Sequence, residues 1–342
     1  MSNASNLPSA MRAWLWTDTA GGLEKNIRLE EAASPPGQTL RQDQVLIQVI
    51  SASLNPADYK VPEMGFIIHL AVSTPATPGM DFCGRVIATG SAVQGYEQGQ
   101  LVYGSLGRPV KFGALAEYVV SSVSQIAPVP SGVHPDHAAS IGIAGQTAYQ
   151  SIQPNVSAGD HIFINAGSGG CGVFAIQIAK ILGCHVTVSC STRNIQFCRD
   201  LGADEVIDYT SVDIVQALKE KGQVFNLVVD HIGVPANLYQ ECHHFLAPRK
   251  GFVQVGSNSI LTFVDRLLRP SLFGGGKRWY QIFIFRNVKS QLIQLGEWIH
   301  EGKIKVPLDS TFEFEDAVQA FKKLKTHRAR GKIVIHVAKK AS

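Results

Sequence analysis

His161-Ile-Phe-Ile-Asn165, then Gly167-Ser-Gly-Gly-Cys-Gly172, then Val173-Phe-Ala-Ile-Gln-Ile-Ala-Lys180: this stretch decides the fold. An apolar strand runs into a glycine turn, and the turn runs directly into a helix. Gly167, Gly169 and Gly172 fit G-x-G-x-x-G, and the flanking strand and helix are the context that gives this spacing meaning. Glycines let the backbone approach a pyrophosphate, and the helix N-terminus offers free N–H groups and a positive dipole end. Gly167, Ser168, Gly169, Gly170, Cys171 and Gly172 are therefore candidate dinucleotide contacts.

The next strand, His185-Val-Thr-Val-Ser189, bears on which dinucleotide fits. An NAD-selective site places an Asp or Glu roughly 20 residues beyond the glycines. Here the chain reads Ser189-Cys-Ser-Thr-Arg-Asn194, and no carboxylate occurs between Ile181 and Arg199. Ser191, Thr192, Arg193 and Asn194 bring hydroxyls, a guanidinium and an amide to that corner. Such a set suits a 2′-phosphate, because Arg pairs with phosphate through a bidentate fork. The expected cofactor is NADPH.

Composition narrows the class further. A chain of 342 residues, 45% hydrophobic and 17% charged, is a globular protein with a substantial core. The 31 basic and 27 acidic residues leave a net charge of +4, too small and scattered to indicate nucleic acid. Six cysteines without a C-x-x-C pair read as reduced intracellular thiols. Met1–Ala10 has no apolar core and no basic residue, so it reads as a lead, not a secretory signal. No apolar run approaches the ~20 residues that span a bilayer. A cytoplasmic protein without a membrane partner is expected.

The first ~125 residues hold short β-like runs between Gly- and Pro-rich turns, as in a barrel-like all-β domain. Beyond Pro128 strands alternate with helical stretches, and Asn226–Asp230 and Gly251–Val255 suit a parallel sheet buried on both faces. Ser290–His300 and Phe314–Leu324 have helical spacing, and Lys332–Val337 reads as a final strand. Arg266–Gly276 reads as a mobile loop. The fold class is α/β, with a β-barrel domain at 1–127 and 298–342 and a doubly wound parallel sheet at 128–297.

This order resembles the medium-chain dehydrogenase/reductase superfamily, with its GroES-like catalytic domain and Rossmann domain, over nearly the whole chain. The resemblance rests on Asn55-Pro-Ala-Asp-Tyr-Lys60, Pro78-Gly-Met-Asp-Phe-Cys-Gly84, Gly113-Ala-Leu-Ala-Glu-Tyr118, Ala144-Gly-Gln-Thr-Ala-Tyr149, the glycine turn, Gly202-Ala-Asp-Glu-Val-Ile-Asp-Tyr209 and Arg330-Gly-Lys332. The chain is most similar to the zinc-free quinone oxidoreductase and enone or enoyl reductase branch. The family's catalytic zinc uses a Cys near position 55 and a His-Glu pair near position 80, where this chain has Asn55 and Gly79-Met80-Asp81. His134, His137, His231, His243 and His244 read as loop or surface histidines, so no metal is expected.

The resemblance implies roles for single residues. Asn55 and Thr147 are carried over as cofactor contacts, and Ile232-Gly233 and Val255-Gly256-Ser257-Asn258 as strand ends passing the nicotinamide. Tyr209 resembles a tyrosine near the adenine phosphate, with a core-covering aromatic as the alternative. Lys332 resembles a lysine that closes over the cofactor. Lys60 and Tyr59 are the candidate proton donors. The implied reaction is hydride transfer from NADPH to a quinone or to the activated C=C of an α,β-unsaturated carbonyl compound. A trans-acting enoyl reductase of a polyketide or fatty-acid pathway, or an NADPH-binding protein with no enzymatic role, are the alternatives. A small-molecule electrophile and a second copy of the chain, as a homodimer, are the expected partners.

Overall fold

The computed structural model describes residues 9–37, 39–257, 260–269 and 271–338. Asn258, Lys339, Lys340 and most of the leading stretch, Met1–Pro8, lie outside the described residues. The chain divides into two compact units, one of Met1–Gln146, Arg286–Gly302 and Val306–Ser342, the other of Thr147–Phe285 and Lys303–Lys305. These limits differ from the expected boundaries at 127/128 and 297/298. Side chains explain the shift: Gln146 bonds Asn287 and the Val288 N–H, and the Tyr103 hydroxyl donates to Leu292 O at 2.6 Å. The helix Lys289–His300 thus packs with the β-rich unit.

Strands are numbered along the chain. The first unit opens with β1 (Met11–Leu15), β2 (Arg28–Ala33), β3 (Gln44–Leu54), β4 (Asp81–Thr89), β5 (Leu101–Ser105), β6 (Tyr118–Ser122) and β7 (Ile126–Pro128). The second holds β8 (His161–Asn165), β9 (His185–Cys190), β10 (Glu205–Asp208), β11 (Phe225–Asp230), β12 (Leu246–Gln254) and β13 (Trp279–Ile282). The chain returns to the first unit with β14 (Leu308–Glu313) and β15 (Lys332–His336).

In the first unit the order is β14-β15-β3-β4-β5-β7, with β6 also on β3. Strand β3 pairs with β4 along most of its length, with β6 at Gln44–Gln48 and with β15 at Ser51–Leu54. Register shifts at Leu46/Ile47 and Val49/Ser51 bend it. Its inward residues Val45, Ile47 and Val49 share a core with Phe82, Val119, Ile333 and Ile335.

In the second unit β10-β9-β8-β11-β12-β13 form a parallel sheet. Strands β8 and β11 are buried at nearly every position, as their continuous apolar runs require when helices cover both faces. The order reverses between β8 and β11, so a crevice opens at their carboxyl ends. Arg266 corrects the loop reading of 266–276: it lies in the helix Ile260–Leu268, and its side chain is buried. Its buried role is hidden from a local reading of the sequence, because its carboxylate partner Asp230 lies 36 residues away.

Candidate functional site

The singled-out residues fall into two groups, one per unit. In the second unit the glycine turn leaves β8 through Ala166, at φ 70°, and enters the helix Gly172–Ile181. A Cβ on Gly172 would stand 2.3 Å from Ala166 O and 2.5 Å from Gly167 O, so only glycine fits there. A Cβ on Gly169 would meet only Ala166 O, at 3.5 Å, which leaves that side open to a ligand. Ser168, Gly169, Gly170 and Cys171 are partly exposed above the helix N-terminus. The turn thus leaves a partly open face above a helix N-terminus.

The 191–194 corner joins this turn directly. Asn194 is buried, and its amide donates to Ser168 Oγ at 3.0 Å and to Ser191 Oγ at 3.3 Å. Arg193 and Thr192 are exposed beside it. Tyr209 is 53% exposed, which excludes the core-covering alternative. The corner also holds a carboxylate that the sequence window missed. Strand β10 lies parallel to β9 with Asp208 opposite Cys190, so Asp208 reaches the corner from the neighbouring strand. Its carboxylate accepts hydrogen bonds from the hydroxyls of Thr192 at 2.6 Å, Thr210 at 2.7 Å and Ser211 at 3.0 Å. The Thr192 and Thr210 hydroxyls hold Asp208 well below the usual carboxylate range.

Four buried polar residues form a rank across adjacent strand ends: Ser189 on β9, Asn165 on β8, Asp230 on β11 and Gln254 on β12. Ser189 donates to Asn165 Oδ1 at 2.6 Å and accepts from the Ala166 N–H at 2.9 Å. The Asn165 amide donates to Asp230 at 2.9 Å. Asp230 also accepts from the N–H groups of Ile232 at 3.2 Å and Gly233 at 2.9 Å. Gln254 donates to Asp230 at 3.1 Å and to Gly256 O. A Cβ on Gly233 would lie 2.9 Å from Ser257 Cα, so the 232–233 and 255–257 segments sit against one another. His231 departs from its surface reading. Both ring nitrogens are buried without a hydrogen-bond partner among the described residues, and burial pushes its pKa down to about 4. Thr147 is buried in the helix Gly142–Ile152 and belongs to this unit, whereas Asn55 belongs to the other.

In the first unit Asn55 is an internal link. Its Nδ2 donates to Asp81 at 2.8 Å, and its Oδ1 accepts from Lys332 Nζ at 2.6 Å. Lys332 is only 2% exposed and also donates to Leu54 O at 3.0 Å. The Lys332 ammonium is thus bonded to Leu54 and Asn55 within the first unit. Asp58 closes the turn by accepting the Asn55 N–H at 2.6 Å, and its Oδ1 has no partner among the described residues. Burial, reinforced by the Asp81 charge, pushes the Asp58 pKa up to about 8. Tyr59 packs in the core under Lys325, and burial with Glu63 and Glu24 pushes its pKa up to about 12. Lys60 is half-buried, and that burial lowers its pKa.

The raised Asp58 value has a thermodynamic consequence. The folded chain keeps a proton that an unfolded Asp releases near pH 4, so Asp58 lowers stability as pH rises from about 4 to about 8. The slope from this one proton is at most ~1.4 kcal/mol per pH unit. Asp58→Asn removes it. Melting curves from pH 5 to 8 are expected to show the variant gaining on the wild type as pH rises; a constant gap would contradict this.

A family model described as alcohol dehydrogenase GroES-like domain matches residues 41–131, and one described as zinc-binding dehydrogenase matches 201–335. Among the described residues no three His, Cys, Asp or Glu side chains are grouped to hold a metal ion. A trans-enoyl reductase of Aspergillus terreus is 44% identical over 98% of both chains. A 2-methylene-furan-3-one reductase of Solanum lycopersicum is 32% identical over 98% of this chain and 81% of that one. The solved quinone oxidoreductase of Coxiella burnetii superposes with a TM-score of 0.84 at 31% identity, covering 96% of this chain and 99% of that one. With the glycine cradle on the parallel sheet and the curled β unit before it, these relatives settle the lineage: the chain belongs to the medium-chain dehydrogenase/reductase superfamily, in the branch of zinc-free enoyl and quinone reductases.

Proposed function

We propose that this protein is an NADPH-dependent reductase of the activated C=C bond of α,β-unsaturated carbonyl compounds, with quinones as further acceptors. The observation that carries the reading is the open glycine cradle joined through Asn194 to the Ser191–Arg193 corner. Ser168, Gly169 and Gly170 would hold the pyrophosphate, and Arg193, Ser191 and Tyr209 the adenosine end with its 2′-phosphate. Asp208 stays ionised under its bonds from Thr192, Thr210 and Ser211, so the preference for a 2′-phosphate depends on Arg193 outweighing that charge. The bound cofactor would supply hydride to the electrophilic carbon. Polarised hydroxyl or amide donors then stabilise the developing enolate oxygen, and a proton completes the reduction.

Lys60 is the better proton donor of the two candidates. Its lowered pKa brings the ammonium toward the working pH, whereas Tyr59 is packed in the core with its proton held to about pH 12. The 44% identical relative bears the name trans-enoyl reductase, which favours a carrier-bound enoyl thioester as a second reading of the same chemistry. Pairing as a homodimer and a cytoplasmic setting, supported by six free thiols, complete the proposal.

Cofactor consumption decides it. NADPH and NADH are offered in parallel with a para-quinone, a 2-alkenal, 2-cyclohexenone and a crotonyl thioester. Turnover is expected with NADPH, and Arg193→Ala is expected to lower kcat/KM for NADPH about 10-fold or more with little change for NADH. Equal use of both cofactors by the wild type would refute the phosphate-corner assignment. NADPH binding without turnover on every acceptor would refute the reductase.

A further inference from the structure

Among the described residues, Arg266 is the charged side chain that reaches the polar rank from outside the sheet. It leaves the helix Ile260–Leu268 with its guanidinium 1% exposed and meets Asp230, fully buried, at 3.2 Å. The same Nη1 donates to Gln254 Oε1, and Nη2 donates to Ala236 O at 2.8 Å. An isolated buried carboxylate is strongly disfavoured, so Asp230 depends on this counter-charge. The other side-chain hydrogen bonds described for Asp230 lead to segments of the crevice. Ile232 and Gly233 are bonded through their N–H groups, the glycine turn through Asn165 and Ser189, and Gly256 through Gln254.

We propose that Arg266 is a positioning residue for the dinucleotide: by neutralising Asp230 and fixing Gln254, it holds the 232–233 and 255–257 segments where their backbone can face the nicotinamide half. This rests on the cofactor reading above. Arg266 touches no ligand-facing atom itself and acts through Asp230. The 191–194 corner has ties of its own, Asn194 to Ser168 and Asp208 to Thr192, and Arg266 reaches it only through Asp230, Asn165, Ser189 and the glycine turn, so the nicotinamide end depends on Arg266 more directly than the adenosine end does.

That asymmetry is the test. Calorimetry would compare NADPH with 2′,5′-ADP, which carries only the adenosine end, on the wild type, Arg266→Met, Arg266→Lys and the Asp230→Asn/Arg266→Met pair. Arg266→Met is expected to weaken NADPH about 10-fold or more while 2′,5′-ADP changes less than about 3-fold. Arg266→Lys keeps the charge and is expected to recover part of the loss. The double variant, which removes both charges, is expected to recover more than Arg266→Met alone. Equal weakening of both ligands, or unchanged NADPH binding, would overturn the proposal. If Arg266→Met does not fold, the same NADPH-selective loss, smaller, is expected in Arg266→Lys, and its absence there counts equally against the proposal. A wild type that binds 2′,5′-ADP but not NADPH, or neither, overturns the cofactor reading itself.

Discussion

Gly172→Ala is expected to raise the NADPH dissociation constant about 100-fold or more, a loss of roughly 3 kcal/mol. The added methyl would stand 2.3 Å from Ala166 O and 2.5 Å from Gly167 O, well inside van der Waals contact with two carbonyls. Neither carbonyl belongs to a flexible side chain, so the turn itself must move. Ala166 has little slack to give, because it already holds a φ of 70° that a residue with a Cβ rarely adopts. Its N–H is also tied to Ser189. The displaced turn would swing the N–H groups at the start of the helix Gly172–Ile181 away from the pyrophosphate. Titration by cofactor fluorescence, with the melting temperature as control, checks this. Wild-type affinity in Gly172→Ala would show that the turn is not the phosphate cradle.

Lys332→Met is expected to destabilise the first unit by about 3 kcal/mol, because it leaves the buried Leu54 O and Asn55 Oδ1 without their donor and takes a positive charge from near Asp81. The substitution keeps the chain's length and apolar body but leaves Asp81 facing Asn55 without a cation, beside Asp58. The measurement is calorimetric melting of variant and wild type, read beside NADPH affinity. A lysine that closes over the cofactor would give the opposite pattern, weak NADPH binding with unchanged melting.

These two residues mark where sequence reading succeeds and where it stops. The glycine turn was legible because everything that gives it meaning is contiguous: β8, the turn and the helix follow one another within 21 residues. The resemblance then carried the β-rich unit, whose strands β3, β4 and β15 appear at the expected runs. Lys332 was placed correctly at the start of a strand, yet its role was not legible, because its partners Leu54 and Asn55 lie 278 and 277 residues away. Asp208 failed for a related reason: the expected acid was sought along β9, while the carboxylate came from the next strand in register. Arg266 and Asp230 are a third case, an ion pair formed by side chains that a local window reads as one loop cation and one strand-end acid. The Asp58 turn lies between these extremes. Its hydrogen bond to Asn55 spans three residues and is within reach of a local window, but the burial that raises its pKa and the Asp81 charge that adds to it come from the folded surroundings and from β4.

The polar rank on β9, β8, β11 and β12 also sets a division of labour. Its side chains spend their hydrogen-bonding capacity mainly on one another and on the loops they hold, so they have little left with which to tell one ligand from another. Discrimination is left to the rim, where Arg193 and Tyr209 are exposed and Ser168, partly exposed, joins the corner through Asn194. A lineage can therefore exchange rim residues, and with them its cofactor preference, while the floor and the fold it braces stay fixed.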